Sequence, residues 1–100
     1  MFVILLHYVQ PLSAVEAQIE PHRAYLDHHF AAGTFLASGP QVPRTGGVIL
    51  ARAPSREALD QILEQDPFYR ERIAQYEVIE FAPSKFGPGL QPLLAPTAQG

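Results

Sequence analysis

The sequence predicts an α+β fold of ferredoxin-like plan, a βαββαβ chain that forms a four-stranded antiparallel sheet with both helices on one face. Three observations predict it. Short apolar, β-branched runs at Phe2–Val9, Thr34–Ser38, Val48–Arg52 and Tyr76–Phe81 alternate with two segments whose apolar residues recur every three to four positions. Pro11, Gly33, Gly39-Pro40, Gly46-Gly47, Pro54, Pro67 and Pro83 all fall between these runs. The order strand, helix, strand, strand, helix, strand, joined by right-handed crossovers, yields that sheet with both helices on one side.

The first run, Phe2 to Val9, hardly alternates, and a strand of that kind is covered on both faces. Ser13-Ala14-Val15-Glu16 has the pattern of a capping box and opens a long amphipathic helix that Gly33 closes. Pro21 inside it removes a backbone donor and presses on the Ala17 carbonyl, so a kink or break is expected just before His22. The apolar stripe of this helix is Val15, Ile19, Leu26 and Phe30, with His22 standing where a further apolar residue belongs.

Strands two and three form a hairpin whose loop carries Pro43 and Arg44. Pro54-Ser55 starts a second helix, with Ala58, Leu59, Ile62, Leu63 and Asp66 on one face and Pro67 as its stop. A short extra turn at Pro67–Arg72 leads into the last strand. The chain divides into one domain at 1–84 and a proline- and glycine-rich tail at 85–100. In this plan the second sheet face is bare, yet Phe2–Leu6, Val48–Ala51 and Val78–Phe81 send apolar residues to both faces. A second copy of the chain is the expected cover, giving a homodimer.

Composition narrows the chemistry. At 47 % hydrophobic and 17 % charged, 100 residues can bury a core. With no cysteine, disulfides, thiolate nucleophiles and cysteine-based metal sites are excluded together. A net charge of −3, with seven scattered Lys and Arg, offers no basic stripe for nucleic acid. Phe2–Leu6 is too short to span a membrane and lacks a basic leader, so a cytoplasmic protein is expected. No phosphate loop and no Gly-x-Gly-x-x-Gly occurs. His28 and His29 point about 100° apart on a helix, and His22 and His29 stand roughly 10 Å apart, so no metal site is expected.

His22 and Asp66 are the candidate pair. Each extends an apolar helix face toward the same sheet. A carboxylate accepting from one imidazole nitrogen would fix the tautomer and free the other to exchange a proton with a ligand. Two plainer readings stand beside this one. A buried histidine is satisfied by any fixed hydrogen bond, and Asp66 before Pro67 is a helix cap worth about 0.5–2 kcal/mol by itself. A carboxylate has lone pairs for both roles. Ser38 ends strand two, where its hydroxyl could hold a ligand oxygen. Arg44 and Arg52 flank strand three and could hold an anionic or phenolate oxygen, and Tyr25 follows His22 by one helical turn.

These residues resemble the YciI-like (YCII-related) family of the dimeric α/β-barrel group. The resemblance rests on the short apolar first strand, His22-Arg23-Ala24-Tyr25-Leu26, Ala37-Ser38-Gly39-Pro40 and Asp66-Pro67-Phe68, and it spans Phe2 to about Phe81. It implies a His–Asp pair at His22 and Asp66, a site serine at Ser38 and a dimeric α/β barrel. Many relatives carry an arginine three residues before the histidine. Here that position is Ile19, and anion binding passes to Arg44 or Arg52.

One branch of the family is similar to enzymes that remove chloride from a chlorinated hydroxyhydroquinone. The resemblance thus implies a small cofactor-free enzyme of lyase or isomerase type, acting on a hydroxylated aromatic or enolisable cyclic substrate, with no metal, flavin or nucleotide. The rival readings are a dimeric small-ligand-binding protein without turnover and a cofactor-free monooxygenase of the same barrel type.

Overall fold

The computed structural model describes residues 1–94, and the last six residues of the tail expected at 85–100 lie outside the described residues. The elements are β1 (Phe2–Tyr8), α1 (Leu12–Ala17), α2 (Ile19–Ala31), β2 (Phe35–Pro40), β3 (Gly46–Ala51), α3 (Arg56–Leu63), α4 (Pro67–Arg70), β4 (Ala74–Glu80) and α5 (Gln91–Leu94). The strands pair antiparallel in the order β2-β3-β1-β4, the ferredoxin-like arrangement. No described helix is long and apolar enough to cross a membrane.

Strand parity divides the apolar residues between the two faces. Phe2, Ile4 and Leu6 of β1, with Ile49 and Ala51 of β3 and Phe35 of β2, are buried on one face with Val15, Leu59, Leu63 and Phe68 from the helices. On the other face Val3 stands opposite Leu50 and Ile79, beside Leu5; Val3, Leu5 and Leu50 are half-buried and Ile79 is 45 % exposed.

The long first helix is two helices, and the break lies one turn earlier than expected, at Gln18, whose φ and ψ are −108° and 5°. Pro21 explains the position. In an unbroken helix its ring would face the Ala17 carbonyl. With α2 starting at Ile19, Pro21 falls in the first turn, where an N–H has no intrahelical acceptor. The Gln18 carbonyl then accepts from His22 N at 3.0 Å.

The capping box does not form. Pro11 is the N-cap, its carbonyl accepts from Ala14 N (2.9 Å) and Val15 N (3.2 Å), and Ser13 lies inside α1 with no side-chain cap present. The break also resets the helical phase. The buried face of α2 runs His22, Tyr25, His29, while Phe30, expected in the stripe, is 37 % exposed.

The other boundaries shift for local reasons. β2 continues through Gly39 and Pro40, which an edge strand tolerates because its outer side pairs with no strand among the described residues, and a bulge falls between Phe35 and Ala37. β3 begins at Gly46, where a Cβ would collide with the Leu6 carbonyl, so the close approach of β1 and β3 there requires glycine. Ser55 caps α3 by accepting from Ala58 N at 3.1 Å, as Pro54-Ser55 predicts. β4 starts two residues earlier than expected, at Ala74. The tail, expected without order of its own, carries the single turn α5.

Candidate functional site

The break at Gln18 turns His22 inward, and the α3–α4 corner delivers Asp66 to it. Asp66 is the N-cap of α4 and is fully buried. Its Oδ1 accepts from Phe68 N at 2.9 Å and meets His22 Nδ1 at 2.8 Å. Cap and imidazole partner are therefore the same oxygen. In the neutral form of the ring the carboxylate selects the tautomer that is protonated on Nδ1, which leaves the Nε2 lone pair free. Among the described residues Nε2 forms no hydrogen bond. The ring lies flat on Phe68, centroids 3.9 Å apart and planes within 2°, so the residue whose backbone N–H Asp66 caps also sets the imidazole plane.

Asp66 Oδ2 accepts from the Tyr76 hydroxyl at 2.5 Å. Tyr76 reaches it from β4, where its pairing with Leu6 turns it to the helix side of the sheet. Burial, then the Asp66 charge and this hydrogen bond, push the Tyr76 phenol well above its usual range near 10, so it stays protonated and donates. Tyr25 is also pushed up, by burial first and Asp66 second.

A cavity of about 450 Å³ opens on the His22 side, between α1, α2, the β2–β3 hairpin and the sheet. Leu6, Tyr8, Ile19, Leu26, Ile49 and Phe68 give it apolar walls; Ser38 and Arg44 come from the hairpin. Ser38 pairs with Ile49, whose side chain is on the helix side, so the serine shares that face. The loop holding Arg44 is tied down by Gln41, whose side-chain amide donates to the carbonyls of Leu6 (3.2 Å) and Gly47 (3.4 Å).

The structure thus brings together four of the residues singled out in the sequence, His22, Asp66, Ser38 and Arg44, and sets two apart. The Tyr25 hydroxyl donates to the Ile62 carbonyl at 2.9 Å and does not line the cavity. Arg52 points elsewhere, its Nε to Gly33 O (3.4 Å) and its Nη1 to Leu93 O (3.3 Å), where it ties β3 to the end of α2 and to α5. His29 is the satisfied core histidine, with Gln65 Oε1 at 3.1 Å from its Nε2. No cluster of three or more metal-ligating side chains occurs among the described residues.

Sequence reasoning missed Tyr76, Phe68 as a stacking partner, and two charged wall residues, Glu16 and Arg23. Only Tyr76 had a signal: strand alternation puts it on the same face as Ala74 and Val78.

The YCII-related domain matches the chain over residues 1–82. The chain belongs to the YCII-related family. That span of the YCII-related domain runs from β1 to just past β4 and holds every residue of the site. No curated protein matches the chain. Among solved structures, the chain is similar to the 5-chloro-2-hydroxyhydroquinone dehydrochlorinase of Burkholderia phenoliruptrix, solved in complex with 2,5-dihydroxybenzoquinone. The match has a TM-score of 0.68 at 20 % identity and covers 81 % of this chain and 93 % of that one. At that identity the likeness is one of fold, and it places this YCII-related protein on the same α+β scaffold.

Proposed function

We propose that this protein is a small cofactor-free enzyme of lyase or isomerase type, in which His22 acts as general acid and base on a hydroxylated aromatic or enolisable cyclic substrate. One observation carries the reading: an imidazole whose Nδ1 is held by a fully buried carboxylate while its Nε2 is left without a partner at a cavity wall. A histidine kept only for packing has no use for that division. The cavity volume suits a single substituted ring, and the flat Phe68 surface suits a planar one.

The finer reading is dehydrochlorination of a chlorinated hydroxyhydroquinone, which the substrate named for the structural neighbour supports. Two ring hydroxyls tautomerise to ketones, which leaves the chlorine-bearing carbon and its ring neighbour both saturated. Nε2 then takes the proton from the adjacent carbon, its electron pair forms the new double bond, and the carbon–chlorine pair leaves with chloride. The net change is loss of HCl, without oxidant or reductant. Asp66 stabilises the imidazolium so formed, and Ser38 and Arg44 are the groups to hold ring oxygens, one as a hydroxyl and one as a cation.

The unit we propose is a homodimer, supported by the apolar residues on the far sheet face. The test is incubation with a panel of chlorinated and plain hydroxyquinols while chloride release and absorbance are followed. Turnover that disappears in His22→Gln is the expected result. Panel members that bind by calorimetry and are never turned over would make the protein a ligand-binding module instead.

A further inference from the structure

Asp66 serves two donors through Oδ1, His22 Nδ1 and Phe68 N, and among the described residues only Tyr76 reaches Oδ2. The carboxylate is fully buried, so without that hydroxyl Oδ2 would face no donor among the described residues and the two bonds to Oδ1 alone would orient the group. The hydroxyl comes from β4, an element that supplies nothing else to the pair, and the Tyr69 ring stands edge-on to Tyr76 with centroids 5.5 Å apart.

We propose that Tyr76 is a positioning residue for His22. Its hydroxyl holds the Asp66 carboxylate in the orientation that aims Oδ1 at the imidazole, and by sharing the negative charge it sets how strongly Asp66 draws the Nδ1 proton. A carboxylate relieved of this donor concentrates its charge and pulls harder on Nδ1–H; one given a stronger donor pulls less. The phenol stays protonated across the neutral range, so it acts as donor throughout. This inference rests on reading His22 as the proton-transferring group, but its test needs no substrate.

The experiment compares the ring-nitrogen shifts of His22 in the wild-type protein, in Tyr76→Phe and in protein carrying 3-fluorotyrosine at position 76. The shifts are read by long-range proton–nitrogen correlation at a pH where the ring is neutral. Phenylalanine keeps the ring and deletes the donor; fluorine makes the same phenol a stronger one. The expected result is a downfield move of His22 Nδ1 in Tyr76→Phe and an upfield move with 3-fluorotyrosine, with His7, His28 and His29 stationary. Nδ1 shifts equal to wild type in both proteins, or moving the same way in both, would overturn the proposal, since a ring that merely packs cannot give opposite signs. Should Tyr76→Phe fail to fold, the fluorinated protein decides alone: an upfield move supports the role and no move ends it. A Tyr76 effect in a protein that turns over nothing would leave this inference standing while the catalytic reading fell.

Discussion

Replacing Asp66 by alanine and by asparagine separates its structural duty from its electrostatic one. Alanine removes the acceptor of three donors at a fully buried position. Loss of the α4 cap costs about 0.5–2 kcal/mol. The stranded His22 Nδ1–H and Tyr76 hydroxyl cost roughly 1–3 kcal/mol each where no water reaches them. Partial relaxation leaves a total of about 4 kcal/mol, comparable with breaking other buried pairs. In a 100-residue domain each kcal/mol moves Tm by roughly 4–8 °C. Asp66→Ala should therefore lower Tm by about 15–30 °C. Asparagine keeps an oxygen for Phe68 N and His22 Nδ1, and its amide donates to the Tyr76 oxygen once that hydroxyl turns away. It loses only charge assistance, about 1 kcal/mol or a Tm loss near 5 °C. Turnover should not follow that order, because both variants lose the charge. A neutral amide cannot stabilise the imidazolium, so Asp66→Asn should lose about a hundredfold or more in kcat on a proven substrate despite its small thermal penalty. Differential scanning calorimetry and steady-state kinetics on the same preparations measure both. An Asp66→Asn protein that keeps both its stability and its full activity while Asp66→Ala loses stability would show Asp66 to be a cap and nothing more.

For His22→Gln, turnover should fall roughly a hundredfold or more while the circular dichroism melting curve stays close to wild type; a wild-type rate returns the histidine to the core. Tyr25 and Tyr76 are both pushed above the ordinary phenol value of 10. The unfolded chain thus loses phenolic protons above pH 10 that the folded protein keeps. Stability is fully retained below pH 10 and should fall as pH rises beyond it, by up to about 1.4 kcal/mol per pH unit for each phenol, and urea titrations should find a shallower fall in Tyr76→Phe. Gly46→Ala puts a methyl against the backbone carbonyl of Leu6, which cannot turn aside, and should cost about 1–3 kcal/mol by urea denaturation. Light scattering at micromolar concentration should give the mass of two chains, and Leu5→Glu on the far face should give the mass of one.

Local chemistry made most of the fold legible. Breakers mark where an element cannot continue, and periodicity marks which side must be buried; both act within a few residues, so the order of elements and the sheet plan follow from the chain alone. Asp66 before Pro67 was readable as a cap for the same reason, and His22 stood out because an imidazole interrupts an apolar stripe. Where local signals conflict, packing decides between them. Pro21 could bend the helix at several places, and the break at Gln18 fixed which residues of α2 face inward, exchanging Phe30 for His29. Contacts across elements depend on strand register and on how packed elements are rotated about their axes, neither of which any single segment encodes. That is why Arg44 reaches the cavity and Arg52 does not, why Phe68 lies flat against His22, and why Tyr76 meets Asp66. The tertiary structure placed the second carboxylate oxygen of Asp66 within reach of a strand, because only the packed sheet and the α3–α4 corner bring the two together.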